Sequence, residues 1–318
     1  MRVFNLIFLF IFFTHNALSQ TGKLDSLEKA LKEAKSDTAL ISTKLLLAKD
    51  LMVNNLDRAL RYAQEALSNA KKAGLVLLIC ESHLSIARVY YRQTNFPNAL
   101  KEALEGLKVA EKNKQELQIA HFNVFIGSIY NAEKNYPKAL DYQQKALSLY
   151  QQISNFEEII SCKISIANTY YLQDSLLKAK KYYEEALYLT KKQNYNRFLA
   201  NCLGNLGNIY DELKDYRQAI QYYQQALSVY RAKKSKFSMA WILGNMGATY
   251  YNMKDYANAQ KYLEEGRVIA FEIKALEWLL HNYEYSSKLN ESLKKFPLAL
   301  EYHKKYLAIK DSIFSKSK

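Results

Sequence analysis

Small and apolar residues recur along the chain with a period of 40 residues. An alanine occupies the same register seven times: Ala59, Ala99, Ala139, Ala179, Ala219, Ala259 and Ala299. The position three residues before each alanine is always apolar, and the position eight residues after it is leucine in every repeat except at Arg267. A repeat of this length predicts one αα-hairpin per period, which buries its apolar face by stacking on its neighbours.

Polar and helix-breaking residues mark where the second helix of each hairpin begins. Most repeats carry a preferred N-cap residue four residues before the alanine, and Lys295 breaks that row in the last repeat. The row contains Asn55, Asn95, Asn135, Ser175, Asp215 and Asp255. All three prolines share the register position that follows it by two residues, where a missing backbone amide costs little.

Two further rows define the predicted packing. Gly127, Gly207 and Gly247 share one register with Ala87 and Ala167 on the first helices, which predicts close contact with the alanine row. Five central repeats carry tyrosine nine residues before the alanine, at Tyr90, Tyr130, Tyr170, Tyr210 and Tyr250. We expect these rings to fill the space between successive hairpins and to direct their hydroxyls to solvent.

The composition supports a helical fold. The 318 residues include only 9 Gly and 3 Pro, with 49% apolar residues and 26 Tyr. Sheet-rich folds need more turn residues, and an intrinsically disordered chain would contain fewer aromatic residues. Three cysteines cannot form a disulfide framework. The predicted fold class is therefore all-α.

One stretch of the fifth repeat identifies a family resemblance. Gly207-Asn208-Ile209-Tyr210, followed by Ala219, Tyr223 and Ala226, resembles the tetratricopeptide repeat (TPR) signature. The resemblance implies a right-handed superhelix of seven hairpins over residues 37–313, with degenerate first and last repeats as caps. The period exceeds the usual length of about 34 residues, so we expect longer helices or longer turns. Residues 20–36 are predicted to form an N-terminal capping helix, and residues 314–318 a short basic tail.

The first nineteen residues have the order of a secretory signal peptide. Met1-Arg2 is a short basic start, Val3 to Phe13 is apolar except for Asn5, and Ala17-Leu18-Ser19 supplies small residues for cleavage. The apolar run is about half of the ~20 residues that span a bilayer, although an uncleaved anchor is the alternative. We predict an exported chain, periplasmic or secreted, that begins at Gln20 and has no transmembrane segment after cleavage.

A narrower resemblance concerns signalling. The capping segment and the late stretch Lys310 to Phe314 resemble the exported sensor portion of bacterial TPR-type histidine kinases and related regulators. Those proteins continue into a coiled coil, a membrane helix and a signalling domain, whereas this sequence stops at Lys318. The resemblance implies an input module that docks to a separate envelope signalling protein.

Candidate catalytic and metal-binding residues are scattered. His83, His121, His281 and His303 have no partner at metal-ligand spacing, and we find neither a phosphate loop nor a nucleophile motif. We therefore predict no enzyme activity, no metal and no cofactor. Cys80, Cys162 and Cys202 are interpreted as small packing residues, with an intermolecular or regulatory disulfide as the alternative.

The TPR resemblance implies that the first helix of each hairpin lines a concave groove for an extended peptide or a helix. The residues that we predict to line it are Arg88, Tyr91, Asn131, Asn168, Tyr171, Asn201, Asn205, Asn208, Trp241, Asn245 and Tyr251. Asparagine carries both donors and acceptors, so a ladder of asparagines can pair with a peptide backbone. Trp241 and the tyrosines would supply apolar pockets, and Gly204 and Gly244 would admit a ligand close to the helix backbone. The alternative is a hydrated face that binds nothing tightly.

The formal net charge of +14 leaves a different function open. Lysine and arginine clusters such as Lys71-Lys72 and Arg231 to Lys236 fall at predicted helix ends, where cations complement the helix dipole. Export argues against nucleic acid as a partner, and an accessory role on an anionic envelope polymer is the alternative. Such binding would depend steeply on salt, whereas an asparagine-lined groove would not.

Overall fold

A computed structural model describes residues 17–315, and every regular element within that range is a helix. The predicted cleavage segment 1–19 and the tail 314–318 thus fall largely outside the described residues. The fifteen helices are α1 (Ala17–Glu33), α2 (Asp37–Leu51), α3 (Leu56–Ala73), α4 (Val76–Arg92), α5 (Phe96–Lys112), α6 (Glu116–Ala132), α7 (Tyr136–Gln152), α8 (Phe156–Leu172), α9 (Leu176–Lys192), α10 (Asn196–Glu212), α11 (Tyr216–Ala232), α12 (Lys236–Asn252), α13 (Tyr256–Glu272), α14 (Leu276–Ser292) and α15 (Phe296–Ser315). The all-α prediction is confirmed.

The helices explain the unusual length of the repeat. From α4 to α14 each helix has 17 residues, and only three residues connect one helix to the next. Two helices and two connections make up the 40-residue period. The additional residues therefore belong to the helices and not to the turns.

From the connection between α3 and α4 onward, each short turn contains one residue in the left-handed conformation. Such residues recur every 20 positions from Gly74 to Lys294, and seven of them are lysines that project into solvent. At Thr94 (φ 57°) the amide of Asn95 donates to the Tyr90 carbonyl at 2.9 Å, and the amide of Thr94 donates to the Tyr91 carbonyl at 3.0 Å. This pattern is a Schellman motif, which satisfies the last carbonyls of the helix.

The predicted N-caps are formed by side chains. Asn55, Asn95, Asn135, Asp215 and Asp255 each accept a hydrogen bond from the backbone amide three residues later. These bonds satisfy one of the amides that the first turn of a helix leaves unpaired.

The described residues form two compact units, one that ends at Ser175 and one that begins at Leu176. Within each unit the first helices of successive hairpins contact one another: α2 with α4, α4 with α6 and α6 with α8 in the first, α10 with α12 and α12 with α14 in the second. Among the described residues, no two successive second helices of the same unit come into such contact. In each unit the first helices are therefore more closely spaced than the second helices and form the inner layer. We call the solvent-facing side of this layer the inner face.

Small residues let the two helices of a hairpin approach closely. All seven alanines of the repeating row are buried. A methyl group on Gly127 would lie 3.1 Å from the Ala139 carbonyl oxygen, and one on Gly207 would lie 2.5 Å from the Tyr223 ring. The predicted close contact between the glycine row and the second helix is thus present at these positions.

The tyrosine row packs within hairpins as well as between them. Tyr130 stacks on Tyr142 with ring centroids 5.7 Å apart, Tyr210 on Tyr222 at 5.3 Å and Tyr250 on Tyr262 at 5.3 Å. Each of these pairs lies within one hairpin, because the second helix carries its own tyrosine twelve residues later. Contacts between successive hairpins are also present, since Tyr90 packs against Ala48 and Ala63 of the preceding hairpin. Lysines cover some of these rings, as Lys138 covers Tyr130 with its Nζ 5.1 Å from the centroid.

Helix α1 covers the first hairpin. Lys23 Nζ lies 2.7 Å from an Asp50 carboxylate oxygen, and Arg58 pairs with Glu28 at 2.7 Å. Leu24 packs against the cluster that contains Leu51. The helix begins three residues before Gln20, so it crosses the predicted cleavage position.

Cys80, Cys162 and Cys202 are buried free thiols, which is consistent with a packing role.

Within residues 17–315, no helix combines the length and the apolar character needed to cross a membrane.

Candidate functional site

The structure divides the eleven predicted groove residues into two groups. Arg88 is exposed, and five others are half-buried: Tyr91, Tyr171, Asn201, Asn245 and Tyr251. The remaining five expose less than a tenth of their surface: Asn131, Asn168, Asn205, Asn208 and Trp241. Only the first group can contact a ligand without rearrangement of the helices.

The buried asparagines of the second unit bind the protein itself. Asn208 Oδ1 accepts hydrogen bonds from the Tyr223 hydroxyl at 2.8 Å and from Asn245 Nδ2 at 2.8 Å. Asn205 Nδ2 donates to Asn201 Oδ1 at 3.0 Å. These asparagines were predicted to pair with a ligand, but they instead form hydrogen bonds within the protein that join α10, α11 and α12. The physical cause is the close spacing of the first helices, which puts an asparagine of one within reach of the next.

The two inner-face glycines make room for side chains of the neighbouring first helix. A methyl group on Gly204 would lie 2.8 Å from the six-membered ring of Trp241, whose side chain is almost fully buried. A methyl group on Gly244 would lie 3.1 Å from Asn282 Nδ2 and 3.2 Å from His281 Nδ1. The expectation that these glycines admit a ligand to the helix backbone is corrected, because protein side chains fill the space.

A second network crosses α6, α7 and α8 in the first unit. Asn131 Nδ2 donates to Thr169 Oγ1 at 2.7 Å, and the Thr169 hydroxyl donates to Gln143 Oε1 at 2.9 Å. Gln143 Nε2 then donates to Ser165 Oγ at 2.9 Å. Sequence reasoning missed Gln143 and Thr169. The available signal was a glutamine in a register that is alanine, tyrosine, leucine or histidine in the other repeats.

Arg88 lies at the centre of a charged cluster on the inner face of the first unit. Its guanidinium reaches solvent, yet the density of protein around it lowers its pKa, an effect that Glu158, Glu81 and Tyr150 oppose. His121 Nε2 lies 3.9 Å from a Glu158 carboxylate oxygen. Burial, and then the positive charge of Arg88, lower the pKa of His121. Arg88, His121 and Glu158 are far apart in the sequence, and the structure brings them together on the neighbouring helices α4, α6 and α8.

Asp211 is the corresponding feature of the second unit. Its Oδ1 accepts a hydrogen bond from the Thr249 hydroxyl at 2.6 Å, and its side chain is half-buried. Burial raises the pKa of Asp211 to about 6; the Thr249 hydrogen bond lowers this pKa and the neighbouring Glu212 raises it. Carboxylates with a strongly raised pKa are more frequent at functional sites than elsewhere.

Aromatic rings continue the inner face from Asp211. Tyr251 contacts Tyr285 edge to face, with centroids 5.9 Å apart, and lies 6.0 Å from the Tyr256 ring. His281 packs on Tyr285 at 4.9 Å. Burial, followed by the charges of Glu284, Asp211 and Glu212, raises the pKa of Tyr285.

Metal ligands do not converge in the part of the chain that the structure describes. No group of three or more His, Cys, Asp or Glu side chains there is arranged to hold a metal ion.

Family profiles described as tetratricopeptide repeat match residues 120–153, 158–232 and 239–269. The chain belongs to the tetratricopeptide repeat family. A comparison with curated proteins finds no significant match.

Solved structures share the fold at low sequence identity. Aspartyl phosphate phosphatase F from Bacillus subtilis gives a TM-score of 0.62 at 14% identity, covering 94% of this chain and 96% of its own. The Rap conjugation gene regulator of plasmid pLS20, in complex with the Phr* peptide, gives 0.59 at 15% identity and covers 94% and 97%.

A signal transduction ATPase (STAND protein) with a tetratricopeptide repeat sensor, from Pyrococcus horikoshii, gives a TM-score of 0.65 at 21% identity. The match covers 82% of this chain but only 42% of that protein. These likenesses confirm the predicted all-α TPR fold.

Proposed function

We propose that this chain is an exported, non-enzymatic interaction module that binds an extended peptide or a segment of a partner protein on its inner faces. The observation that carries the proposal is the row of half-buried polar and aromatic side chains on adjacent first helices. Tyr171 in the first unit and Asn201, Asn245 and Tyr251 in the second hold such positions. Peptide recognition by a groove between helices relies on such a mixture of hydrogen-bonding and apolar side chains.

Preorganisation supports the same function. Helix-borne residues that are fixed by packing lose little conformational entropy when a ligand binds. Asn245 is held by its bond to Asn208, and the Tyr251 hydroxyl lies 3.3 Å from Ser292 Oγ. In this proposal the exposed and half-buried residues contact the ligand directly. Asn131, Asn168, Asn205, Asn208 and Trp241 keep the helices in position.

Similar proteins lend weight to a peptide ligand. The pLS20 regulator was solved with the Phr* peptide, and another Rap protein was solved with the competence and sporulation factor. Both share the TPR fold with this chain, and we extend peptide binding to it on that ground together with its inner-face side chains.

A peptide selection tests the proposal. Residues 20–318 would be immobilised and exposed to a phage-displayed library of random peptides, beside the variant Tyr171→Ala/Asn201→Ala/Tyr251→Ala. The matched control is Tyr188→Ala, which removes a tyrosine that is 61% exposed on the second helix α9. We expect enriched peptides for the wild type and the control and none for the triple variant. Equal enrichment on all three proteins would show that the peptides bind outside the inner faces.

Export is the part of the proposal that rests on residues 1–19 alone. Expression of the full-length chain with a C-terminal tag in a Gram-negative host, followed by fractionation and N-terminal sequencing, tests it directly. We expect periplasmic protein that starts at Gln20. Full-length protein in the cytoplasm would contradict export and leave the binding proposal intact.

A second candidate function is a detached sensory partner that docks to an envelope signalling protein. The sensor role of the TPR part in the Pyrococcus horikoshii protein favours it. Cross-linking of the exported chain to its native membranes, followed by mass spectrometry, should then recover a kinase or regulator. Recovery of envelope polymer alone, lost at high salt, would instead favour the basic turns, where seven lysines are exposed.

A further inference from the structure

Asp211 is a half-buried acid without a cationic partner. Among the described residues its carboxylate forms one hydrogen bond, with the Thr249 hydroxyl, and no ion pair. Burying a carboxylate costs free energy unless a cation or several donors compensate. One neutral donor compensates only partly, which agrees with the raised pKa of this group.

The charges around Asp211 leave its surroundings negative. Glu212 is adjacent in the chain and has the same sign. Lys288 is the single lysine or arginine of α14; it is paired with Glu284 at 2.6 Å and lies over the Tyr285 ring, with Nζ 4.7 Å from the centroid. His281 carries no charge at neutral pH, because burial lowers its pKa to about 4. None of these groups neutralises the carboxylate.

Aromatic rings lie on α12 and α14 near the level of this acid, and its charge contributes to the raised pKa of Tyr285. Asp211 and Tyr251 occupy equivalent register positions on α10 and α12, one 40-residue period apart, and the hydrogen bond to Thr249 ties the two helices at this level. Tyr251 in turn contacts Tyr285 on α14, edge to face. The face of a tyrosine ring attracts cations, and Lys288 over Tyr285 shows that a ring of this cluster already does so.

We propose that Asp211, Tyr251 and Tyr285 form a subsite for a basic side chain, lysine or arginine, of the segment bound by the second unit. This inference rests on the proposed peptide-binding function and names the chemistry of the ligand. The ammonium or guanidinium group would donate to Asp211, whose Oδ1 already accepts from Thr249. The tyrosine rings would enclose the aliphatic stem and the charge. An acidic or neutral side chain would leave the negative charge of the carboxylate without a cation, so the subsite also disfavours those residues.

The decisive experiment compares peptide selections on three proteins. Random dodecapeptides on phage would be selected against the wild type, Asp211→Asn and the control Asp141→Asn. Asparagine at position 211 keeps an acceptor for Thr249 and removes only the charge. Asp141 is an exposed carboxylate on α7, outside the inner face, paired with Lys145. We expect lysine or arginine at one position of the peptides enriched on the wild type and on Asp141→Asn, and no such preference on Asp211→Asn.

Synthetic peptides then isolate the contact. A selected peptide and its copy with norleucine in place of the basic residue would be compared by fluorescence anisotropy. The substitution should weaken binding to the wild type at least tenfold and change binding to Asp211→Asn less than threefold. Circular dichroism would confirm that each variant is folded.

The outcomes separate this inference from the proposed function. Tight peptides without a basic preference on the wild type would overturn the subsite and leave peptide binding in place. A basic preference that persists on Asp211→Asn would also overturn it, because another acid would then be responsible. Absence of any enriched peptide on the wild type would overturn both.

Discussion

The half-buried carboxylate of Asp211 gives a quantitative prediction for stability. Burial raises its pKa from 3.8 to about 6, so the folded chain binds this proton more tightly than the unfolded chain. Each pKa unit is worth about 1.4 kcal/mol, and the rise therefore corresponds to roughly 3 kcal/mol of lost stability at neutral pH. Because the side chain keeps some contact with water, we expect Asp211→Asn to raise the free energy of unfolding at pH 7 by about 1–3 kcal/mol.

The pH dependence is the sharper part of this prediction. A carboxylate whose pKa is higher in the folded state costs nothing while it is protonated in both states. The cost grows as pH rises from the unfolded to the folded pKa, and it is complete above about pH 7. The stability difference between Asp211→Asn and the wild type should thus be close to zero below about pH 4 and reach its plateau near pH 7.

Urea unfolding followed by far-ultraviolet circular dichroism, at a series of pH values, measures this difference. The control is Glu212→Gln, which removes the same charge from an adjacent exposed residue and should change stability by at most about 0.5 kcal/mol. A stability gain that does not vary with pH would refute the reasoning. So would an asparagine variant that is less stable than the wild type at pH 7.

Three further predictions test the packing of the repeats. Lys114 adopts φ 54°, and Lys114→Gly should increase stability in urea by about 0.5–1 kcal/mol because glycine has no Cβ strain there. Gly207→Ala should decrease stability by about 1–3 kcal/mol, since the added methyl group would lie 2.5 Å from the Tyr223 ring. Burial raises the pKa of Cys162 to about 12, so this thiol should react with a disulfide reagent at pH 8 only after unfolding.

Each of these predictions has an internal control. Lys108→Gly, within helix α5, should reduce stability by about 1 kcal/mol; a loss of similar size at Lys114 would contradict the strain argument. Tyr223→Ala should remove most of the cost of Gly207→Ala, and an unchanged cost would show that another contact is responsible. Rapid labelling of Cys162 in the folded chain, located by peptide mapping, would contradict its burial.

The repeat architecture could be predicted from the sequence because it depends on local rules. Helix starts follow from N-cap side chains such as Asn95 and Asp215, which need only the amide three residues ahead. The alanine row marks helix contacts within one hairpin, where the two partners are close in sequence. Both rules repeat every 40 residues, so a single register defined the order of the helices and the start of most second helices.

The inner faces could be predicted only in part. A position on a first helix is known from its register, but its exposure depends on the side chain that the next first helix presents. Tyr171 and Tyr251 are half-buried, whereas Trp241 occupies the space beside Gly204 and is almost fully buried. The network of Asn131, Thr169 and Gln143 also lay outside the prediction, since no local pattern pairs these residues.

The sequence by itself thus determined the fold family, the starts of most second helices and the register of the inner-face residues. Only the tertiary structure decided which of them meet. The decisive hydrogen bonds join residues 37 or 38 positions apart, as Asn208 with Asn245 and Asp211 with Thr249 do, and not residues one full period apart. The physical reason is the stagger between adjacent first helices, which offsets equivalent residues by part of a helical turn. This stagger results from the packing of whole hairpins and leaves no mark in the 40-residue pattern.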